Sequence, residues 1–149
     1  MSLDTSYIGR EYPPTPAYEV AREKIREFAD AINDPNPVYR DVAAARALGY
    51  ADVIAPPTFA IVLTLTAGHQ VLVDPKLGID YSRVVHGEQR FVHRRPIQAN
   101  DVLQVVVTVE NIRAAAGNDI LTTRAEVSTT AGEPVVTAYS TIVARGTAS

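Results

Sequence analysis

The order of segments along the chain predicts an α+β domain, with helices in the first half and an antiparallel sheet in the second. Three observations lead to this prediction: an amphipathic segment near the start, a long apolar segment in the middle, and, after Leu77, a run rich in Val, Thr, Ile and Tyr. The 149 residues are enough for one domain with its own core, so residues 1–149 are expected to fold as a single unit.

The first predicted helix follows an extended lead-in. Residues 1–20 are proline-rich and predict an extended conformation, with a short strand at Ala17–Val20. The segment Arg22–Asn33 is expected to be an amphipathic helix, because its apolar residues recur at i, i+3, i+4 and i+7. These apolar residues are Ile25, Phe28, Ala29 and Ile32. Pro35 and Pro37 stop the helix, because each lacks an amide donor and disfavours helical geometry in the residue before it.

Two further helices are predicted before the sheet. Asp41 as N-cap, the alanine-rich VAAARAL and Gly49 as a left-handed C-terminal residue predict a short second helix. From Phe59 to Val73 the chain is apolar on nearly every side and long for a strand, so we expect a buried helix with Pro57 in its first turn. Polar residues interrupt this segment and it is short for a bilayer span, which argues against a transmembrane helix.

The second half of the chain predicts four consecutive antiparallel strands joined by hairpins, because β-rich segments alternate with the turn-like QAND, AAGN and TAGE. The predicted strands are Arg83–Ile97, Asp101–Arg113, Asp119–Thr130 and Glu133–Arg145. One apolar helix with a curved antiparallel sheet around it is the hotdog arrangement, and a cystatin-like cone or another α+β roll has a similar order of elements. Residues 146–149 are expected to form a flexible tail.

Composition and charge exclude several classes of function. Without cysteine the chain has no disulfide, no thiolate metal site and no cysteine nucleophile, and a reducing compartment fits best. A net charge of -3 and a pI near 5.6 argue against a nucleic-acid binder, and the basic His93–Arg95 is interpreted as a solvated face. The start of the chain lacks the pattern of a secretory signal, so we expect the cytoplasm. No metal or cofactor is predicted, because three scattered histidines make no recognisable metal site.

Three blocks of sequence resemble the MaoC-like hotdog hydratases and dehydratases that act on acyl thioesters, and especially their N-terminal-type, FAS1-like subfamily. The resemblance extends from about Tyr7 to Arg145, and its blocks are REKIREFADAINDPNPVYRD (22–41), VIAPPTF (53–59) and VVHGEQRFVHRRPI (84–97). In competent relatives the first block holds an aspartate, one residue, Asn-Pro, an aliphatic residue and a histidine. Here the same positions hold Asp34 to Tyr39, so a tyrosine replaces the histidine.

The resemblance implies that the aspartate and histidine would hold and activate the water or hydroxyl at C3 of the acyl thioester. A tyrosine has an ordinary pKa near 10 against about 6.5 for histidine, a gap worth nearly 5 kcal/mol for making the basic form. Tyr39 is therefore not expected to replace the base at neutral pH. Asp34 remains a candidate catalytic carboxylate, although an Asx-Pro-Asn-Pro segment also predicts a turn held by the carboxylate. Of the three histidines, His86 is the best placed to stand in, because the strand after the buried helix lies near the acyl site in this family.

The predicted substrate site lies at the start of the buried helix. Helix amides there lack intrahelical partners and carry partial positive charge, so they could stabilise a developing enolate at the thioester carbonyl. Pro57 has no amide, which leaves Thr58 and Phe59 as the predicted donors. The predicted substrate-binding residues are Asn36, Pro57, Thr58, Phe59, His86 and Gly87. The apolar wall of the helix is a candidate lining for an acyl channel.

The resemblance leads to one favoured function and three alternatives. The favoured function is a substrate-holding, non-catalytic subunit of a (3R)-hydroxyacyl thioester dehydratase, a hydro-lyase of fatty-acid metabolism, with acyl carrier protein or coenzyme A carrying the acyl group. A catalytic hotdog partner would supply the aspartate and histidine in a heterodimer. The alternatives are a self-sufficient homodimeric enoyl hydratase using Asp34, a non-catalytic acyl-thioester binding module, and a thioesterase. Pairing is expected in each case, because a single sheet leaves an open edge.

Overall fold

A computed structural model describes residues 2–148 and places three helices beside a curled, five-stranded antiparallel sheet. The helices are α1 (Arg22–Ala31), α2 (Val42–Ala47) and α3 (Ile61–Leu72), and 3₁₀ turns occupy Thr5–Tyr7, Pro37–Tyr39 and Tyr81–Arg83. The strands are β1 (Tyr18–Glu19), β2 (Val84–His93), β3 (Val102–Ala115), β4 (Asn118–Thr129) and β5 (Pro134–Ala144). Helix α3 packs against β3 and β4, as the predicted α+β arrangement requires.

The strand order is β1-β3-β4-β5-β2, which corrects one predicted connection. Hairpins join β3 to β4 and β4 to β5, as expected, but β2 pairs with β5 at the far edge of the sheet. The predicted hairpin between the first two long strands is therefore wrong. The segment between them bridges to residues before α3 instead of turning back: the Ala55 amide donates to the Ile97 carbonyl at 2.7 Å, and the Ala99 amide to the Val53 carbonyl at 3.0 Å.

The two edges of the sheet differ. The lead-in runs along the outer edge of β3, where amides of Gly9, Tyr12 and Thr15 donate to β3 carbonyls at 2.8–3.0 Å. The Tyr12 hydroxyl also donates to the Asp74 carboxylate at 2.9 Å, which ties the lead-in to the end of α3. The extended conformation predicted for residues 1–20 is present only from residue 10 onwards, because Thr5–Tyr7 form a 3₁₀ turn, and the extended part covers one edge of the sheet. The opposite edge, formed by β2, pairs with no further strand within residues 2–148.

The helices bury the stripes that their patterns predict. In α1, Ile25 and Ala29 are fully buried, but the helix ends at Ala31 and leaves Ile32 at 45% exposure, because Asn33 takes a left-handed conformation with φ 56°. The second helix matches its predicted signals: the Asp41 carboxylate accepts from the first amides of the helix, and Gly49 has φ 91°. No helix within the described residues is both long enough and apolar enough to cross a membrane.

The core lies between α3 and the concave face of the sheet. Its strand residues alternate along β3 and β4 and include Leu103, Val105, Val107, Val109, Leu121 and Val127. A tight turn between β3 and β4 has positive φ at both central residues, Ala116 and Gly117, and this geometry matches the twist of the flanking strands.

The predicted flexible tail is ordered through Thr147. The Gly146 amide donates to Asn118, and the Thr147 hydroxyl donates to the buried Asp119 carboxylate at 2.7 Å. The same carboxylate accepts the Leu3 amide at 3.1 Å, so both ends of the described chain are held by one side chain. The last residue of the predicted tail, Ser149, lies outside the described residues.

Candidate functional site

The Asp34–Tyr39 motif folds into two consecutive side-chain turns. The Asp34 carboxylate accepts the Asn36 amide at 3.1 Å, and the Asn36 side-chain oxygen accepts the Val38 amide at 3.0 Å. Asn36 thereby caps the 3₁₀ turn that contains Tyr39. The two prolines suit this geometry, because each fixes φ and needs no amide partner. The predicted turn is confirmed, and it sets the position of Tyr39.

Tyr39 is buried, with 8% of its surface exposed. Burial raises the pKa of its phenol above 10, and the negative charge of Asp34 raises it further. Both effects disfavour the phenolate. At neutral pH the Tyr39 side chain is therefore a neutral phenol, which has no basic form ready to accept a proton from a substrate or a water.

Tyr39 lines a cavity of about 400 Å³ at the end of β2, together with residues of the loop before α3. Its other lining residues are Ile54, Ala55, Pro57, His93, Arg94, Arg95 and Pro96. The His93 Nε2 atom lies 2.7 Å from the Pro57 carbonyl oxygen. Because a carbonyl oxygen only accepts, this ring nitrogen carries the proton and donates it. We call this space the Tyr39 cavity.

His93 and Arg94 are exposed, in agreement with the predicted solvated face, but the sequence interpretation missed that His93 also lines this cavity. A signal was present in the strand pattern. On β2 the side chains of Gln89, Phe91 and His93 follow a period of two and pair with Ser140, Ala138 and Val136 of β5. Phe91 packs on the core, so the alternation places His93 on the same face.

The start of α3 differs from its prediction. The helix begins at Ile61, and Pro57 lies in a tight turn before it, so the prediction that Pro57 is in the first helical turn is wrong. The Phe59 amide donates to the Pro56 carbonyl at 2.9 Å, and the Ile61 amide donates to Thr58 at 3.1 Å. Residues 56–61 thus use i to i−3 bonds that satisfy amides expected to be free.

Of the two predicted oxyanion donors, the structure leaves one amide open. The Thr58 amide makes no hydrogen bond within residues 2–148 and its residue is exposed. The Phe59 amide is already engaged, and the Phe59 ring is fully buried edge-on against Phe28, with ring centroids 5.4 Å apart. Phe59 therefore fixes the loop in the core, and Thr58 is the residue that could present an amide to a ligand.

A second cavity, of about 230 Å³, lies between α3 and the concave face of the sheet. Its walls are largely aliphatic, from α3 on one side and from β3, β4 and β5 on the other. Leu65 and Tyr81 line it and are 68% and 69% exposed, so they form its rim. We call this space the helix–sheet cavity. It lies along the wall of the buried helix, where the sequence places a candidate acyl channel.

His86 and Gly87 lie at an irregularity of β2, where the register with β5 shifts between His86 and Glu88. His86 is exposed and lines the helix–sheet cavity, whereas Tyr39 lines the other one. Asp34 lines neither of these two cavities. The structure therefore does not bring the predicted stand-in histidine into one cavity with the motif. His69, expected inside the apolar helix, is exposed.

Residues 2–148 contain no group of three or more His, Asp and Glu side chains placed to hold a metal ion. The Tyr39 cavity offers a neutral phenol, an imidazole donor and two guanidinium groups, from Arg94 and Arg95. The helix–sheet cavity offers aliphatic walls with a few hydroxyl and amide side chains, which suit an apolar ligand.

Comparison with known proteins gives a consistent result. The family model for the FAS1-like dehydratase domain region matches residues 6–138. A UPF0336 protein of Saccharopolyspora erythraea is 66% identical over 148 residues, which are 99% of this chain and 95% of that protein.

Solved structures are also similar. The C-terminally truncated HadBC (3R-hydroxyacyl-ACP dehydratase) complex of Mycobacterium tuberculosis contains a chain that is 32% identical, with a TM-score of 0.85 over 95% of this chain and 99% of that one. A MaoC-like dehydratase is 35% identical with a TM-score of 0.87, over 94% of this chain and 42% of that longer one. These similarities confirm the predicted hotdog fold.

Proposed function

The chain belongs to the MaoC-like hotdog dehydratases, in their FAS1-like subfamily, and on that premise we propose that it is the substrate-holding, non-catalytic subunit of a two-subunit (3R)-hydroxyacyl thioester dehydratase. Membership of this family supports a dehydratase-type function for the assembly. The division of labour between two subunits is the specific proposal. It places the chain in fatty-acid metabolism, in the cytoplasm, with an acyl group carried by acyl carrier protein or coenzyme A.

The observation that carries the proposal is the buried phenol of Tyr39. The family reaction needs a group that accepts a proton near neutral pH, and burial together with Asp34 raises the pKa of this phenol further from that range. Asp34 is the only member of the catalytic pair that this chain retains, and its carboxylate is engaged with the Asn36 amide. A partner with the intact pair would supply the missing base.

The open edge of β2 supports a partner subunit. An edge strand of ten residues presents unpaired backbone groups, and such edges are normally covered in natural proteins. Apolar side chains are exposed around it: Val85 and Val92 on β2, Leu65 on α3 and Tyr81 just before β2. The similar structure from Mycobacterium tuberculosis is that of the HadBC complex, and the chain is similar to one of the chains in it. We propose that a catalytic hotdog partner pairs along β2.

The substrate site would combine the groups described above. The helix–sheet cavity would hold the acyl chain, and its rim residue His86 and the neighbouring Gly87 lie on the strand that meets the partner. The open Thr58 amide would donate to the thioester carbonyl, with Pro57 shaping the turn and Phe59 anchoring it. Asn36 would hold the motif loop through its bond to Val38.

Activity of reconstituted subunits tests this function. The chain would be purified alone and together with a hotdog protein of the same organism that carries the complete Asp-x-Asn-Pro-x-His motif, with the partner alone as control. We expect no hydration of crotonyl-CoA or of a longer enoyl thioester by the chain alone, and more activity on long chains from the pair than from the partner alone. Robust turnover by the lone chain, lost in Asp34→Asn, would instead identify a self-sufficient hydratase. Release of free thiol without double-bond chemistry would identify a thioesterase.

A further inference from the structure

Polar side chains cross the helix–sheet cavity as a row. On the sheet side the row consists of Gln89 of β2, Ser140 of β5 and Thr123 of β4, which are direct cross-strand neighbours in the register. All three line the cavity, and Thr64 of α3 lines it from the helix side. We call these four residues the polar belt. It interrupts walls that are otherwise aliphatic.

Two atoms of the polar belt have no hydrogen-bond partner within the described residues. They are the Thr64 hydroxyl oxygen and the Gln89 side-chain nitrogen, and both atoms are buried. Thr64 as a residue is only 7% exposed, and its own backbone amide is already bonded to the Ala60 carbonyl. A buried polar group without a partner destabilises the folded chain, so the fold gains nothing from these two groups by itself. Their arrangement fits a ligand better than it fits the folded chain.

The chemistry of the polar belt limits what that ligand can be. The Gln89 nitrogen only donates and the Thr64 hydroxyl both donates and accepts, so together they suit an oxygen acceptor such as a hydroxyl or a carbonyl. No Lys, Arg, Asp or Glu lines this cavity, which argues against a phosphate or a carboxylate at this depth. Aliphatic residues of the sheet lie on both sides of the belt, Leu121 and Ile142 on one side and Ala125 and Ala138 on the other. The complementary ligand is an apolar chain that carries one neutral oxygen.

We propose that the polar belt recognises a hydroxyl or keto oxygen on the acyl chain, beyond the carbons that react, so that this subunit selects oxygenated acyl thioesters over plain ones. The inference rests on the proposed function, since it assumes that the helix–sheet cavity holds the acyl chain. A plain alkyl chain in the same cavity would leave the Gln89 nitrogen and the Thr64 hydroxyl without partners. Each hydrogen bond to an oxygenated chain is expected to improve affinity about fivefold.

The test is a direct binding measurement by calorimetry with acyl-CoA thioesters of equal length. One is unsubstituted and the others carry a single hydroxyl or keto group, each at a different carbon beyond C3. The full chain is used, alone and in complex with its catalytic partner. All of these ligands share the same pantetheine arm, so a difference in affinity reports on the acyl chain alone. We expect at least one oxygenated chain to bind about fivefold tighter than the plain chain.

Variants locate the effect. Thr64→Val and Gln89→Leu should each reduce the ratio between the affinities for the oxygenated and the plain chain, and Thr64→Ser should retain this ratio because the hydroxyl remains. Thr66→Val is the matched control, because Thr66 is on the same helix but is exposed and lines neither cavity. Without ligand, Thr64→Val should melt at the same or a higher temperature than the wild type, because it removes an unpaired buried hydroxyl.

The outcomes separate the inference from the function on which it rests. Equal binding of plain and oxygenated chains overturns the inference, whether the polar belt then holds water or an amide carbonyl of the pantetheine arm. A preference that survives in both Thr64→Val and Gln89→Leu also overturns it. In either case acyl binding itself, and so the proposed function, still stands. If no acyl thioester binds, the chain alone or in the complex, the proposed function fails and this inference fails with it.

Discussion

Replacing Tyr39 by histidine tests whether the missing imidazole is what separates this chain from a catalyst. An imidazole with an ordinary pKa of about 6.5 is about three quarters basic at pH 7, whereas a phenol with a pKa of 10 is basic in about one molecule in a thousand. The substitution therefore raises the basic fraction at least about 700-fold, since burial and Asp34 push the pKa of Tyr39 above 10. General base catalysis of this kind is worth about 10²–10⁴ in rate.

The site can accept the change. Tyr39 lines a cavity of about 400 Å³, so a substrate atom or a water could reach a ring at this position. The motif turn does not depend on the phenol, because it is held by the Asp34 and Asn36 side chains. Imidazole is smaller than phenol and leaves part of a buried site unfilled, so we expect Tyr39→His to lower the melting temperature without changing the fold.

The assay follows the hydration of an enoyl-CoA thioester by the two-subunit complex, in which the partner's own catalytic histidine has been replaced. The complex with wild-type chain should be inactive, and Tyr39→His should restore turnover that Asp34→Asn removes again. Tyr50→His is the matched control, because Tyr50 is partly buried but lines neither cavity. The reasoning is refuted if the wild-type chain turns over briskly at neutral pH in this complex and loses that activity in Tyr39→Phe.

Three further predictions concern assembly and stability. Val92→Lys should prevent pairing along the open edge of β2 and yield a monomer by analytical ultracentrifugation. Ile8→Lys, beside the covered edge of the sheet, is the control and should leave assembly unchanged. An unaltered oligomer in Val92→Lys contradicts pairing through β2. Asp52→Asn should destabilise the protein near pH 7, because the hydrogen bonds from Arg22 hold the pKa of the Asp52 carboxyl below its ordinary value. Because the folded-state pKa is lowered, the ionised carboxyl stabilises the fold above the ordinary aspartate pKa of about 4, and this stabilisation is lost as the pH falls through the folded-state value. The difference in melting temperature between wild type and Asp52→Asn should therefore shrink below about pH 4. A difference that stays constant with pH contradicts this prediction. Phe59→Ala should lower the free energy of unfolding, measured with denaturant, by about 3–5 kcal/mol, because the ring is fully buried. A decrease below about 1 kcal/mol would show that the loop before α3 is not anchored in the core.

Local signals in the sequence predicted the local structure. The cap formed by Asp41 and the left-handed conformation of Gly49 were predictable, because both depend on neighbours only a few residues away. The long strands were predicted within a few residues by the same logic, since β-branched residues fit a pleated surface wherever the strand lies in the sheet. The replacement of histidine by Tyr39 was visible directly, and the structure adds the burial that makes the phenol still less basic.

Features that depend on distant residues were not predictable in this way. Strand β2 pairs with β5, and the segment after β2 is held by the hydrogen bond from Ala55 to Ile97; both contacts join residues far apart in the chain. The late start of α3 depends on tight turns that engage the amides of Phe59 and of residues 61–63, and periodicity cannot separate these turns from helix. His93 was missed for a related reason, because a basic cluster in sequence need not lie together on one face of a strand.

In the proposed assembly, strand β2 would link pairing with a partner to substrate selection. Its outer edge is the open one, its Gln89 side chain belongs to the polar belt, and its last residue, His93, lines the Tyr39 cavity. A partner that pairs with this edge must therefore fix the same backbone that positions Gln89. Because a rigid strand restricts its side chains more than a free edge does, the preference for an oxygenated chain should be greater in the complex than in the chain alone. Val92→Lys, which is directed at the pairing edge, should then weaken that preference although Val92 lines neither cavity.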